Sequence, residues 1–516
     1  MSFIRSILLC ELPDNDGDDK FQFRPNARGF RSAAALFAPL IRAGKFRLPG
    51  LKACVKHFFE GRNIMSENYD LIVIGGGPGG LAAAQTASAA NKRVLIIERG
   101  GWGGTCTHRG CIPTKAMLAC SRFYADLKKL KRVGVNVSGG AVDFAAMKKH
   151  RDQMVRIAAL GAQKMIAGPR VESKIGLGEI LSPREVRCTG EDGVRQFLKT
   201  EKILIAWGSK PQILPGLRAS ERIRTSDEIL SLEQLPSSII IVGGSFIGVE
   251  YATLFAELGV RVTLVELMDR ILPREDEEAA ELLGQELARL GVVLHTSTRL
   301  VRLEESGEGV KLSARKNGED LEIQALYALL CTGRAPVLHA DQLDSLGVDF
   351  TNAGIRVDKR MMTSVGGIYA AGDVTGGMML AHRASLQAKV AVEGMFGGSR
   401  YRYDEDLIPS VVYSHPQIAR VGLTERRALD EGLEISVVRS DYGANLMARA
   451  ELMGQGFVKI IFHREVIAGA VAAGDHAAEL LAPLALAVSG KWTRRQFRSW
   501  VLPHPTLGEV FAPLAD

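Results

Sequence analysis

The sequence predicts an α/β protein made of two parallel-sheet units of one design followed by a further C-terminal unit. Two observations carry that prediction. An apolar strand, a glycine-rich turn, an apolar helix and a second strand ending in glutamate occur twice, 168 residues apart. The chain has 516 residues, 46% of them hydrophobic, which suits about three domains with separate cores.

The first copy runs through Tyr69–Ile74, Gly75-Gly76-Gly77-Pro78-Gly79-Gly80, an alanine-rich helix, and Val94–Ile97 ending at Glu98. Gly75 permits the turn, Gly77 lets a pyrophosphate approach the backbone, and Gly80 lets helix and strand pack. Glu98 can accept hydrogen bonds from a ribose. The second copy comprises Ile239–Val242, Gly243-Gly244-Ser245-Phe246-Ile247-Gly248, a helix over about Val249 to Leu258, and Val262–Val265 ending at Glu266. Strand, turn, helix and acidic strand end all recur, so both are read as Rossmann-like dinucleotide sites. Glu266 favours NAD over NADP, because its carboxylate would repel a 2′-phosphate. Ser245 stands in place of the middle glycine.

Just after the first copy comes Gly103-Gly104-Thr105-Cys106-Thr107-His108-Arg109-Gly110-Cys111-Ile112-Pro113-Thr114-Lys115. In one regular helix the Cys-x4-Cys spacing would separate the Cα atoms by about 7.5 Å of rise, beyond a disulfide's usual span. Cys106 is therefore expected to precede a helix that starts near Cys111. The dipole there and Lys115 one turn on would lower the Cys111 pKa. The pair suggests a disulfide exchanging electrons with the neighbouring dinucleotide, which makes flavin the natural occupant of the first site and a nicotinamide that of the second. Spacing and ligand count do not fit zinc. Cys10, Cys54, Cys120, Cys188 and Cys331 have no motif context and read as ordinary thiols. Seven cysteines and no recognisable secretory signal predict a reducing, cytoplasmic setting.

Further along, Ile203–Pro211, including Trp207 and Gly208, reads as a strand leaving the first unit. Residues near 301–336 read as strands separated by polar turns and end in Cys331-Thr332-Gly333-Arg334-Ala335-Pro336. The strand Ile368–Ala371 then delivers Gly372-Asp373, and a helix follows Met379-Leu380-Ala381-His382. A carboxylate at such a strand end can meet a ribityl or ribose hydroxyl, so the chain returns here to its first unit. Near the C-terminus, His504-Pro505-Thr506-Leu507-Gly508-Glu509 offers an imidazole base with a carboxylate to orient it, which thiol–disulfide exchange requires.

The net charge of +7 sits mainly in residues 1–64, whose balance is +5, so a nucleic-acid surface on the body is not implied. No apolar run is long enough to span a membrane. Residues 1–64 read as a dispensable, poorly ordered leader, with Met65 a natural start.

These motifs together resemble the FAD-dependent class I pyridine nucleotide–disulfide oxidoreductases, in particular the dihydrolipoamide dehydrogenases, from Met65 to Asp516. The resemblance implies an FAD domain (65–213 and 339–400), an NAD domain inserted in it (214–338), and an α+β dimerisation domain (401–516). It implies a homodimer with active sites shared across subunits. Cys106 becomes the interchange thiol, Cys111 the thiol next to the flavin, and His504 of the partner subunit, paired with Glu509, the acid/base. Cofactor contacts carry over to Gly75, Gly77, Gly80, Glu98, Thr105, Lys115, Gly208, Gly372, Asp373 and Met379 to His382 (through Leu380 and Ala381) on the FAD side. On the NAD side they carry over to Gly243, Gly244, Ile247, Gly248, Glu250, Glu266 and Gly333. Lys115 is expected to pair with Glu250, and the side chain of His382 to serve packing.

The activity implied is oxidation of dihydrolipoamide to lipoamide with reduction of NAD+, in partnership with the lipoyl domain of a 2-oxoacid dehydrogenase or glycine cleavage complex. The chain departs from the family pattern at Thr107-His108, Trp207 and Leu502-Pro503, around the expected substrate and flavin positions. The alternatives are an NAD(P)H-dependent reductase of another disulfide, a soluble transhydrogenase-like flavoprotein, and a non-enzymatic flavin redox sensor or scaffold.

Overall fold

The structure is a computed structural model that describes residues 68–137, 140–398 and 400–515. The expectations for residues 1–64, for Met65 and for Cys10 and Cys54 lie outside the described residues.

The first sheet is built around β1 (Asn68–Ile74), whose apolar residues are almost wholly buried: Leu71 and Val73 pack with helix residues such as Leu81 and Ala388 on one face, and Ile72 and Ile74 with Ile180 and Val186 on the other. Gly75, at φ +115°, turns the chain into α1 (Pro78–Ala89), which leads to β2 (Val94–Glu98). A Cβ on Gly80 would stand 1.8 Å from the Gly75 carbonyl oxygen, so only glycine lets α1 sit this close to the turn. Two helices then carry the cysteine segment, α2 (Gly104–His108) and α3 (Cys111–Leu130), with α4 (Phe144–Met165) packed against α3. The chain continues through β3 (Val171–Ile175), β4 (Leu177–Ser182), β5 (Glu185–Thr189) and β6 (Arg195–Ile205).

Strand order in this sheet is β3-β2-β1-β6-β5-β4. β6 begins well before Ile203, where the sequence reading starts its strand. Its first half pairs antiparallel with β5 in a half-exposed ribbon of mixed polarity, and only its second half is the apolar parallel strand.

β7 (Ser209–Pro211) leads from this sheet to β8 (Ile223–Thr225) and the second phosphate-loop unit. That unit contains β9 (Ser238–Val242), α5 (Phe246–Glu257), β10 (Arg261–Val265), α6 (Glu277–Arg289) and β11 (Val293–His295). The meander β12 (Thr298–Ser306), β13 (Gly309–Lys316) and β14 (Glu319–Ala325) follows, then β15 (Tyr327–Leu330). The parallel sheet is ordered β11-β10-β9-β15-β8. The repeat extends to atomic detail: a Cβ on Gly248 would lie 1.8 Å from the Gly243 carbonyl oxygen, as at Gly80. α5 starts at Phe246 rather than near Val249, because Ser245 is already its extended N-cap.

β16 (Arg334–Pro336) pairs antiparallel with β7, so the outgoing and returning chains form one ribbon. β17 (Ile368–Ala370) then rejoins the first sheet against β6, and α7 (Ala381–Phe396) packs on α1. The C-terminal unit is an antiparallel sheet of β18 (Ser410–Val412), β19 (Gln417–Gly422), β20 (Ile435–Asp441), β21 (Phe457–His463) and β22 (Val466–Gly474), ordered β18-β19-β22-β21-β20. α8 (Ala477–Ser489) covers it. Two buried ion pairs tie this unit to the second phosphate-loop unit: Arg420 to Glu275 at 2.8 Å and Lys459 to Asp276 at 2.8 Å. Removing one partner of such a pair would strand a buried charge, so they fix how the two units meet.

Candidate active site

One continuous cavity of about 2590 Å³ runs past both phosphate loops, the cysteine segment and the Gly372-Asp373 turn. A usual small-molecule pocket holds roughly 300–1,000 Å³, so this space suits two dinucleotides. At the first loop Gly77 N-caps α1, and a Cβ added there would meet nothing within 4 Å, leaving the helix N-terminus open to a phosphate. Glu98 accepts from the backbone N–H of Gly76 at 2.5 Å and of Gly100 at 2.7 Å. Gly208, at φ +75°, and Asp373 line the same space. Ser209 Oγ donates to Asp373 Oδ2 at 2.6 Å, and among the described residues no donor reaches Oδ1. Phosphate-facing amides with a carboxylate held for a hydroxyl form the donor set that FAD needs, and the residues present fit it. Among the described residues no group of His, Cys, Asp and Glu could hold a metal ion, and no helix is long and apolar enough to cross a membrane.

Cys106 precedes the helix that begins at Cys111, as the spacing requires, and sits in a short helix of its own. Cys106 lies within the one-turn α2, which contains Thr105 as well. The chain breaks at Arg109-Gly110, and Cys111 is the first residue of the 20-residue α3. The two thiols lie close enough for each to shift the other's pKa. The pair is electrostatically unequal. The hydrogen bond from Cys106 holds the Cys111 thiol down at about 7 against the effect of burial, and the Lys115 ammonium lowers it further. Cys106 moves up, because it donates that hydrogen bond and is itself buried. The negative charge of the reduced pair therefore rests on Cys111.

Lys115 sits one turn along α3, with its Nζ 2.8 and 3.0 Å from the two carboxylate oxygens of Glu250 on α5. Burial works against the Lys115 charge, but Glu250 outweighs it and the ammonium's pKa is raised. Tyr413, which the sequence reading did not single out, completes this contact. Its backbone N–H donates to Glu250 Oε1 at 3.0 Å, and its ring centroid lies 4.9 Å from Lys115 Nζ. Nothing in the local pattern around Tyr413 announces this; only the return of the C-terminal chain to the cavity does.

At the second loop Glu266 repeats the arrangement of Glu98, accepting from Gly244 N–H at 2.6 Å and Met268 N–H at 2.8 Å. Gly243, Ser245, Ile247 and Gly333 line the cavity beside it, with Gly333 at φ +101°. Ser245 makes no side-chain cap, so its hydroxyl is not committed to the helix. Met379, Leu380, Ala381 and His382 form the cavity-lining start of α7, and His382 Nε2 lies 2.7 Å from the Pro409 carbonyl.

The residues that depart from the family pattern divide. Thr107 is buried against Gly103, whereas His108 lines the cavity, with its Nε2 3.1 Å from the Trp102 carbonyl. Trp207 lines the cavity and meets His339 edge-on at 4.6 Å.

His504 is separate from all of this within one chain. It lines a shallow cavity with Asp441, Asn445 and Glu509, and its Nδ1 lies 2.8 Å from Glu509 Oε1. A carboxylate can only accept, so Nδ1 carries the proton and Nε2 of the neutral ring remains as base. The backbone N–H of Thr506 and the imidazole of His504 both lower the Glu509 pKa.

The chain matches the family model for pyridine nucleotide-disulphide oxidoreductases over residues 69–388 and the dimerisation domain of that family over residues 408–515. It is 37% identical to dihydrolipoyl dehydrogenase of Chlorobaculum parvum over 86% of this chain and 96% of that one. It is 36% identical to a dihydrolipoyl dehydrogenase of Bacillus subtilis over 85% of this chain and 96% of that one. Among solved structures, LpdA from Mycobacterium tuberculosis superposes with a TM-score of 0.81 at 27% identity, covering 86% of this chain and 98% of that one.

The inequality of the cysteines makes a pH-dependent prediction. Alkylation of Cys111 in the reduced protein should rise with pH through a midpoint near 7. Lys115→Met should move that midpoint up toward the ordinary thiol range, and an unchanged midpoint would remove Lys115 from the account.

Proposed function

The chain belongs to the pyridine nucleotide-disulphide oxidoreductase family, and we propose that it oxidises dihydrolipoamide to lipoamide with NAD+ as final acceptor, through FAD and the Cys106–Cys111 pair. The observation that carries this reading is the placement of Cys106 and Cys111 beside the Lys115–Glu250 contact in one cavity with two dinucleotide loops. The names of the relatives support dihydrolipoamide as the dithiol.

We assign residues 65–213 and 339–400 to FAD binding, 214–338 to NAD binding and 401–516 to the subunit interface. Gly75, Gly77, Gly80, Glu98, Thr105, Gly208 and Gly372 to Asp373 would hold FAD, with the start of α7. Gly243, Gly244, Ile247, Gly248, Glu266 and Gly333 would hold NAD. When bound, FAD supplies the chemistry that converts a thiolate's electron pair into a hydride for NAD+.

The chain's own residues handle sulfur and protons. With the pair oxidised, a substrate thiolate attacks Cys106 Sγ, the Cys106–Cys111 bond breaks, and Cys111 leaves as the stabilised thiolate. The second substrate thiol, deprotonated, attacks its own sulfur in the mixed disulfide; lipoamide departs and Cys106 takes up a proton. The substrate thiols need a base to take their protons, and Cys106, with its raised pKa, takes one up as it leaves. His504, with Glu509 on Nδ1, serves the cysteine pair of the other chain, so the homodimer shares its sites. The partner beyond the dimer is the lipoyl domain of a 2-oxoacid dehydrogenase or glycine cleavage complex. A cytoplasmic setting accords with the few cysteines.

Purified protein loaded with FAD should reduce NAD+ with dihydrolipoamide, and Cys106→Ser or Cys111→Ser should abolish this while FAD stays bound. Retained turnover in both variants would defeat the proposal. Mixing inactive Cys106→Ser and His504→Ala dimers under exchange should restore about a quarter of the wild-type rate, because half the dimers become hybrids with one intact site. No recovery would mean that His504 does not act across the interface.

A further inference from the structure

The segment Thr332-Gly333-Arg334-Ala335-Pro336 supplies more than a turn beside the nicotinamide site. Arg334 projects from the returning strand β16 and is only 12% exposed at its side chain. Its guanidinium is used as a fork. Nε donates to Ser209 Oγ at 2.9 Å, Nη2 to the Ser209 carbonyl at 3.1 Å, and Nη1 to Asp227 Oδ1 at 3.0 Å. Ser209, on the outgoing strand β7, accepts that Nε–H and spends its own hydroxyl proton on Asp373 Oδ2 at 2.6 Å. Arg109, between the two cysteines, reaches the other oxygen of Asp227 at 3.7 Å, but it is 63% exposed and adds little.

We propose that Arg334 is a positioning residue for the flavin site: acting through Ser209, it orients the Asp373 carboxylate from the segment that carries the second phosphate loop. This rests on the assignment of Asp373 to FAD made above. A serine hydroxyl has one proton and can rotate. Left alone, it could give that proton to the carboxylate, to solvent or to a backbone carbonyl. The Arg334 Nε–H occupies its acceptor side and leaves the proton one useful target, Asp373. Asp227 fixes the third arm of the fork, so the guanidinium itself does not swing. The outgoing and returning strands thereby hold one carboxylate in the flavin unit, and a displacement of β16 is felt there. Lysine could supply charge at position 334, but its three donors share one freely rotating nitrogen and cannot span the fork that Arg334 makes with Nε, Nη1 and Nη2.

The test is FAD retention by the holoprotein of wild type, Arg334→Lys, Ser209→Ala and Asp373→Asn, together with the Ser209→Ala/Asp373→Asn and Arg334→Lys/Ser209→Ala double variants. FAD release on dilution and flavin content are measured beside thermal melting. Each single variant should weaken FAD retention about tenfold, the effect of losing one hydrogen bond to a charged group. Each double variant should be little worse than its weaker single, because the residues act on one path. Wild-type retention in both Arg334→Lys and Ser209→Ala, or losses that simply add, would overturn the proposal. Ser209→Ala removes a single oxygen and keeps the test usable if Arg334→Lys folds poorly. A wild-type protein that binds no FAD would instead fail the functional reading itself.

Discussion

The buried contact of Lys115 with Glu250 is the constraint on which the rest depends. Glu250 is 4% exposed, and its carboxylate would be costly in that position without an ammonium and a backbone donor to meet it. Lys115 comes from the helix that begins at Cys111, Glu250 from the helix of the second phosphate loop, and Tyr413 from the C-terminal unit. Three segments far apart in sequence must therefore dock before the charge is neutralised. The same docking brings a cation near the sulfur that carries the reduced pair's charge. Stability of the site and reactivity of the thiolate are one electrostatic fact seen from two sides.

Around that contact, one apolar core joins Met117 and Leu118 to Val249 and to Val412 and Ile418, and polar groups set within it fix how the units meet. Ser121 on the cysteine helix donates to Glu257 Oε2 at 2.6 Å, and His415 Nδ1 lies 2.8 Å from Oε1 of the same carboxylate. Arg420 with Glu275, and Lys459 with Asp276, pin the second unit to the C-terminal sheet. Buried apolar contacts would tolerate sliding by a fraction of a residue. Directed donors and acceptors do not, which matters where a sulfur must face one part of a cofactor and a second cofactor must lie close by.

Much of this was legible in the sequence because the physics involved is local. The two phosphate loops announce themselves through glycines that no other residue replaces, since a Cβ at Gly80 or Gly248 would meet backbone at 1.8 Å. The placement of Cys111 at a helix start followed from spacing and from Gly110, and Lys115 followed from being one turn along. What escaped was non-local or weakly patterned. The first half of β6 has mixed polarity because its ribbon is half exposed, so its start was missed. α5 starts at Phe246, inside the glycine motif, where the local pattern reads as turn. Tyr413, Asp227 and Ser209 gain their roles only when distant strands return to the cavity. Thr107 packs on Gly103, and His108 lines the cavity while its ring meets the Trp102 carbonyl, contacts that no local pattern announces.

The central claim is that the cysteine pair is an electron store between the dithiol and the flavin, held for that purpose by Lys115 and the helix at Cys111. An anaerobic reductive titration of the FAD-loaded protein tests it most directly. The wild type should take up one electron pair more than Cys111→Ser before reduction is complete, and dihydrolipoamide should fill that extra capacity first. Equal uptake by the two proteins would contradict the account, because the sulfurs would then hold no electrons on the way to the flavin.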